Sequence, residues 1–153
     1  MTFQSIYAAA HEYPSKPAMV YNGTTMSYAA LAGAIPADRN YLANQALHAE
    51  GAMVVLIHNL RDCWVAILAL QSLGVTTVCV KSVAVLESLQ LNNISGIVTT
   101  DIDVSEHQLE TEARMGGKVI TIPASVFASD QLPPAPAVRA IEKVGGHILY
   151  TSG

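Results

Sequence analysis

Charge is what this sequence has least of. Asp, Glu, Lys and Arg make up 13% of its 153 residues, about half the share of roughly 25% usual in soluble domains. Hydrophobic residues make up 51%. So little charge implies that part of the surface is covered, by a partner or by the rest of a longer chain. A weakly charged, alanine-rich domain is the plainer alternative, and composition leaves both open. The eight basic residues stand singly and the net charge is −4. No basic stripe can neutralise a phosphate backbone, which argues against nucleic acid as a partner.

Other absences narrow the class further. The N-terminus MTFQSIYAAAHEYPSK lacks a basic start and an apolar centre, so no signal peptide is expected. The most apolar run, Cys63 to Leu70, is too short to span a bilayer, and Gln71 and Ser72 end it. There are two cysteines, Cys63 and Cys79, both among apolar neighbours and at no metal or CxxC spacing. Buried reduced thiols are expected, which fits a cytoplasmic protein. GxGxxG, GxxxxGK[ST] and GxSxG are all missing, so the usual dinucleotide, P-loop and serine-nucleophile signatures do not apply. His11, His48, His58, His107 and His147 are far apart, with no i, i+4 pair flanking a carboxylate. They are expected to be surface or strand-end histidines, and no metal site is expected.

What is present is an alternation of β-branched runs with helix-length stretches. Residues 52–58, 75–80, 96–100, 118–122 and 147–151 read as strands. Their near-continuous apolarity indicates burial on both faces, as in a parallel sheet. Asn59 is placed to cap a helix with Asp62 in its first turn. Cys63 to Leu73 is apolar nearly all round, so that helix is expected inside the protein, with Gly74 ending it. Met19–Tyr21 and Thr25–Tyr28 flank Asn22-Gly23, a hairpin signal. Ser27 opens a helical segment through Leu31, and a second runs from Asp38 to Glu50. Pro36 predicts a break or kink between them. Ser105 with Gln108 forms a capping-box pattern for a helix to Met115, and 123–136 reads as a surface loop. The fold class is α/β: a predominantly parallel sheet with helices on both faces, preceded by the hairpin.

The chain closes on His147-Ile-Leu-Tyr-Thr-Ser-Gly153. A strand delivering small, hydroxyl-bearing residues suits an anion, because the backbone can approach and donate hydrogen bonds. "ILYTSG" resembles the opening of the phosphate loop of the adenylate-forming superfamily: acyl-CoA synthetases, nonribosomal peptide adenylation domains and luciferases. That loop runs approximately YTSG[ST]TGxPKG, and Tyr150, Thr151, Ser152 and Gly153 match its start. "KPAMVYNGTTMSYAALAG" is similar to the family's early hairpin and following helix. "GAMVVLIHNLRDCWVAILALQSLGVTTVCV" is similar to its strand, asparagine turn, apolar helix and second strand. "NISGIVTTD" is similar to its next strand, which often ends in an acidic residue. Among departures, Cys79 stands where proline is common, and the Leu31–Leu42 segment is about one helical turn longer.

The resemblance implies a parent enzyme that activates a carboxylic acid with ATP and Mg²⁺, then passes the acyl group to coenzyme A or a carrier-protein thiol. Residues 1–153 would be the N-terminal portion of its AMP-binding domain, truncated inside the phosphate-loop motif, with the remainder of the parent chain as partner. Thr151, Ser152 and Gly153 would begin the phosphate cradle, and no catalytic or metal-binding residue would lie in these 153 residues. The isolated chain is then expected to be inactive, to bind no cofactor of its own and to self-associate. A carboxylate at Gly153, ionised above a pKa of about 3.5, would repel a phosphate about 4 Å away by roughly 4 kcal/mol. The rivals are a complete small α/β binding or oligomerisation module without catalysis, and a flavodoxin-like nucleotide-binding domain.

Overall fold

A computed structural model describes residues 2–47, 50–88, 93–101, 103, 118–127 and 147–148. The chain opens with helix α1 (Phe3–Glu12), which the sequence reading above does not anticipate. Thr2 caps it: Oγ1 accepts from the Ser5 amide at 3.3 Å, and the Thr2 amide donates to Ser5 Oγ at 3.1 Å. Serine stands where the usual capping signature has Glu or Gln, which hides the signal. Strands β1 (Pro17–Tyr21) and β2 (Thr24–Ser27) form the expected antiparallel hairpin. Asn22 and Gly23 take φ of 48° and 74°, as a tight two-residue turn demands.

Ser27 then accepts from the Ala30 amide at 3.2 Å and opens α2 (Tyr28–Ala43). The expected break at Pro36 is not found, since α2 is one helix with Pro36 inside it, and it ends at Ala43 rather than Glu50. Proline forfeits one backbone bond in a helix interior. Leu31, Ala32, Ala34, Ile35 and Leu42 are buried around that position, so tertiary packing outweighs the local loss.

The main sheet is parallel throughout, in the order β6-β5-β3-β4-β7. Its strands are β3 (Ala52–Val55), β4 (Thr76–Cys79), β5 (Ile94–Thr100), β6 (Lys118–Ile122) and β7 (His147–Ile148). β3 stops three residues before the expected end, leaving His58 in a turn. Between β3 and β4 lies α3 (Leu60–Ser72), capped by Asn59 Oδ1 accepting from the Asp62 amide at 3.2 Å. Gly74, at φ 78°, follows it. Every residue of α3 from Val65 to Ser72 is buried, as the all-round apolarity requires.

Side chains alternate across the sheet. Met53, Val55, Val98, Ile120 and Ile122 pack with α1, α2 and α3 on one face. Ala52, Val54, Leu56, Val78, Val80 and Ile97 pack on the other against Leu86 of the short α4 (Val83–Ser88). A last short helix, α5 (Ala124–Phe127), returns Phe127 to the first face, within a segment expected to be loop. The Ser105–Met115 helix and residues 128–136 lie outside the described residues. Each fully buried Leu or Ile contributes roughly 1.5–3 kcal/mol, and Leu31, Ile35, Leu42, Ile67, Leu68 and Leu70 are all at most 2% exposed.

Candidate functional site

Parallel strands present all their carboxyl ends on one edge. Ligands of open α/β sheets bind outside that edge, where successive connections leave on opposite faces. Here β3 feeds α3 on one face, while β4 feeds α4 on the other. The turns after β3, β4 and β5 therefore define the edge of interest, and they meet at His58.

Three contacts join these turns and a fourth, within the last of them, braces Asp103. His58 Nδ1 lies 2.6 Å from Asp103 Oδ1. The His58 amide donates to Asp103 Oδ2 at 3.2 Å, and Thr100 Oγ1 donates to the same oxygen at 2.7 Å. His58 Nε2 lies 3.2 Å from the Lys81 carbonyl oxygen. Both ring nitrogens face acceptors, an arrangement that favours the protonated ring. The hydrogen bond to Asp103 raises the His58 pKa above its ordinary value, against an opposing effect of burial. Burial works against the Asp103 charge, yet the bonds from His58 and Thr100 hold its carboxyl below the usual range. With both ring nitrogens engaged, His58 has a structural role in this arrangement. It clasps three strand ends together.

Beside this edge, Cys63 in the first turn of α3 faces Cys79 at the end of β4, with the Sγ atoms 3.4 Å apart. Neither is in a disulfide; Cys63 is buried as expected while Cys79 is only half-buried, and spacing alone does not reveal their proximity, which the β3-α3-β4 crossover creates. Nearby, Arg61 Nη1 donates to Asp62 Oδ1 at 3.1 Å and to the Phe127 carbonyl at 3.2 Å. A cavity of about 270 Å³ lies between the hairpin and the start of α3, lined by Met19, Tyr21, Asn22, Thr24, Met26, Asn59 and Arg61.

Asp38 of α2 is fully buried, and neither carboxyl oxygen has a hydrogen-bond partner among the described residues. Burial pushes its pKa up to about 7, the Asp62 charge adds to this, and Arg61 works the other way.

Thr151, Ser152 and Gly153, the residues that the resemblance assigns to phosphate, lie outside the described residues, as do His48 and His107. What is described is the approach: β7 pairs in parallel with β4, Thr77 opposite His147 and Val78 opposite Ile148. The tripeptide thus follows a strand that runs toward the His58 edge. Sequence reasoning missed His58, Asp103 and Asp38 as interacting groups. The acidic residue noted after "NISGIVTT" was Asp101, which is exposed, while the acid that reaches the edge is Asp103.

Hairpin, parallel sheet and buried crossover helix together make up an α/β architecture. Among solved structures, the chain is similar to the N-terminal domain of FACL13 from Mycobacterium tuberculosis, with a TM-score of 0.69 and 14% identity over 99% of this chain and 42% of that one. It is similar to o-succinylbenzoate coenzyme A synthetase from Bacillus subtilis in complex with AMP, with a TM-score of 0.61 and 19% identity over 81% of this chain and 32% of that one. It is also similar to the nonribosomal peptide synthetase FmoA3 in an AMPPNP-bound form, at 0.61 and 16% over 99% of this chain and 16% of that one. All three are adenylate-forming proteins. At these identities the likeness is one of fold, and the chain spans less than half the length of each. No protein-family model and no curated protein matches the chain.

Proposed function

We propose that these 153 residues are the N-terminal portion of an ATP-dependent, carboxylate-activating enzyme that forms an acyl-adenylate and then a thioester with coenzyme A or a carrier-protein thiol. The observation that carries the reading is the agreement of fold and terminal motif. The fold matches the FACL13 N-terminal domain over 99% of the chain, and the sequence that follows β7 is Leu-Tyr-Thr-Ser-Gly, whose last four residues resemble the start of the family's phosphate loop. A structure of the B. subtilis synthetase contains ATP and magnesium ion, which supports ATP and Mg²⁺ as ligands of the parent. Thr151, Ser152 and Gly153 would donate to the nucleotide phosphates there, their backbone and hydroxyls serving as an anion cradle. No described residue is assigned to ATP or Mg²⁺.

In this reading the chain by itself is not an active ligase, and its natural partner is the remainder of the parent. A cytoplasmic setting goes with the reading. Among the described residues no helix is long and apolar enough to cross a membrane. Reading the native coding sequence beyond the Gly153 codon tests the proposal. The expected continuation is [ST]TGxPKG. A stop codon at that point in the wild-type gene would favour a complete α/β binding module instead.

A further inference from the structure

The geometry points to Cys63 and Cys79 as a redox-modification site, a dithiol that peroxides convert to an intramolecular disulfide joining the start of α3 to the end of β4. Three observations carry this. The two sulfurs are 3.4 Å apart, and closing to the bonded length of about 2.05 Å asks for an approach of only about 1.4 Å. The two thiols differ in access: Cys63 is 4% exposed, while Cys79 is partly open. They also differ in chemistry. The hydrogen bond from the Cys63 thiol lowers the Cys79 pKa to about 7 against the effect of burial, and the Lys81 charge helps. The Cys63 thiol is raised, first by that same bond and then by burial. Cys79 is thus both the more open and the more acidic of the two thiols. That division of labour is what an attacking and a resolving cysteine require.

The chemistry balances with hydrogen peroxide as oxidant. The Cys79 thiolate attacks one peroxide oxygen; an S–O bond forms, the O–O bond breaks and hydroxide leaves, to be protonated to water. Cys63 then attacks the sulfenic sulfur; the S–S bond forms, the S–O bond breaks, and the departing hydroxide takes the Cys63 proton as a second water. Two thiols lose two electrons and one peroxide gains them. A dithiol reductant reverses the step by exchange. The crosslink would lie two residues before Lys81, whose carbonyl accepts from His58, so oxidation fastens the edge at which three strands end.

Peptide mass analysis after oxidation tests it. The reduced chain is exposed to hydrogen peroxide, alkylated with iodoacetamide and digested with trypsin. Both cysteines fall between Arg61 and Lys81, so one peptide reports on both. The expected result is that this peptide loses two hydrogens, takes up no alkyl group, and regains both alkylation sites after dithiothreitol. In Cys63→Ser, dimedone should capture a sulfenic acid at Cys79. Oxygen added to Cys79 with Cys63 still alkylated in the wild-type chain, crosslinks found only between chains, or two thiols that stay fully alkylatable would each overturn the inference.

Discussion

Asp38 places a carboxyl group in the packed side of α2 with no hydrogen bond among the described residues, and burial followed by the Asp62 charge raises its pKa from 3.8 to about 7. Between those values the folded chain keeps the proton and the unfolded chain has lost it. Stability therefore falls as pH rises through that window and levels off above about 7. The full effect is on the order of 4 kcal/mol, a large part of the 5–15 kcal/mol typical of a domain. Urea midpoints measured from pH 4 to pH 8 should decline in the wild type, and most of the decline should vanish in Asp38→Asn. A flat wild-type profile would show that Asp38 is solvated.

His58 acts in the same direction, at higher pH. Its folded pKa is raised, so the stabilisation it adds is complete below about 6.5 and is lost as pH rises through the folded value. The side chain is 63% exposed, which limits that contribution to a fraction of a kcal/mol. Proton NMR should place the His58 midpoint above 6.5 in the wild type and lower in Asp103→Asn. These residue roles were hidden in the sequence for one reason: Asp38 looks like any helical acid, and His58 and Asp103 are brought together only by sheet pairing 45 positions apart.

Elements were more legible than partners. The hairpin, the parallel strands and the buried α3 follow from Asn22-Gly23, from unbroken β-branched runs and from apolarity on every side of a helix. Where local rules misled, packing was the cause. Pro36 sits inside α2 because the helix is held between α1 and α3, and one tie is explicit: Tyr41 Oη donates to the Thr121 carbonyl at 2.7 Å. Tyr41→Phe should cost about 1 kcal/mol in chemical denaturation, since the carbonyl loses its donor. A stricter constraint stands before β3. Gly51 has φ 92°, and a Cβ there would lie 2.4 Å from the Asn93 carbonyl oxygen. Gly51→Ala should therefore destabilise by roughly 1–3 kcal/mol and separate β3 from the chain entering β5. An unchanged unfolding midpoint would mean that the two turns move apart without cost.

At the scale of the whole molecule, 51% hydrophobic against 13% charged residues argues for surface that another part covers. Sedimentation of the isolated chain should show self-association, or the chain should bind hydrophobic dyes. A dye-free monomer across concentrations would remove that argument. The candidate phosphate residues were legible only through resemblance, because a Thr-Ser-Gly turn has no distinctive physics until the rest of a cradle stands around it. Each absent charged hydrogen bond forfeits roughly 1.5–3 kcal/mol, and losing several would carry a micromolar site, about −8 kcal/mol, beyond the millimolar range. Calorimetric titration of ATP and Mg²⁺ into the 153-residue chain and into the full product of its gene is the most direct test. The predicted result is micromolar binding by the full product and none tighter than millimolar by the chain alone. Micromolar binding by the chain alone, or none by the full product, would contradict the assignment.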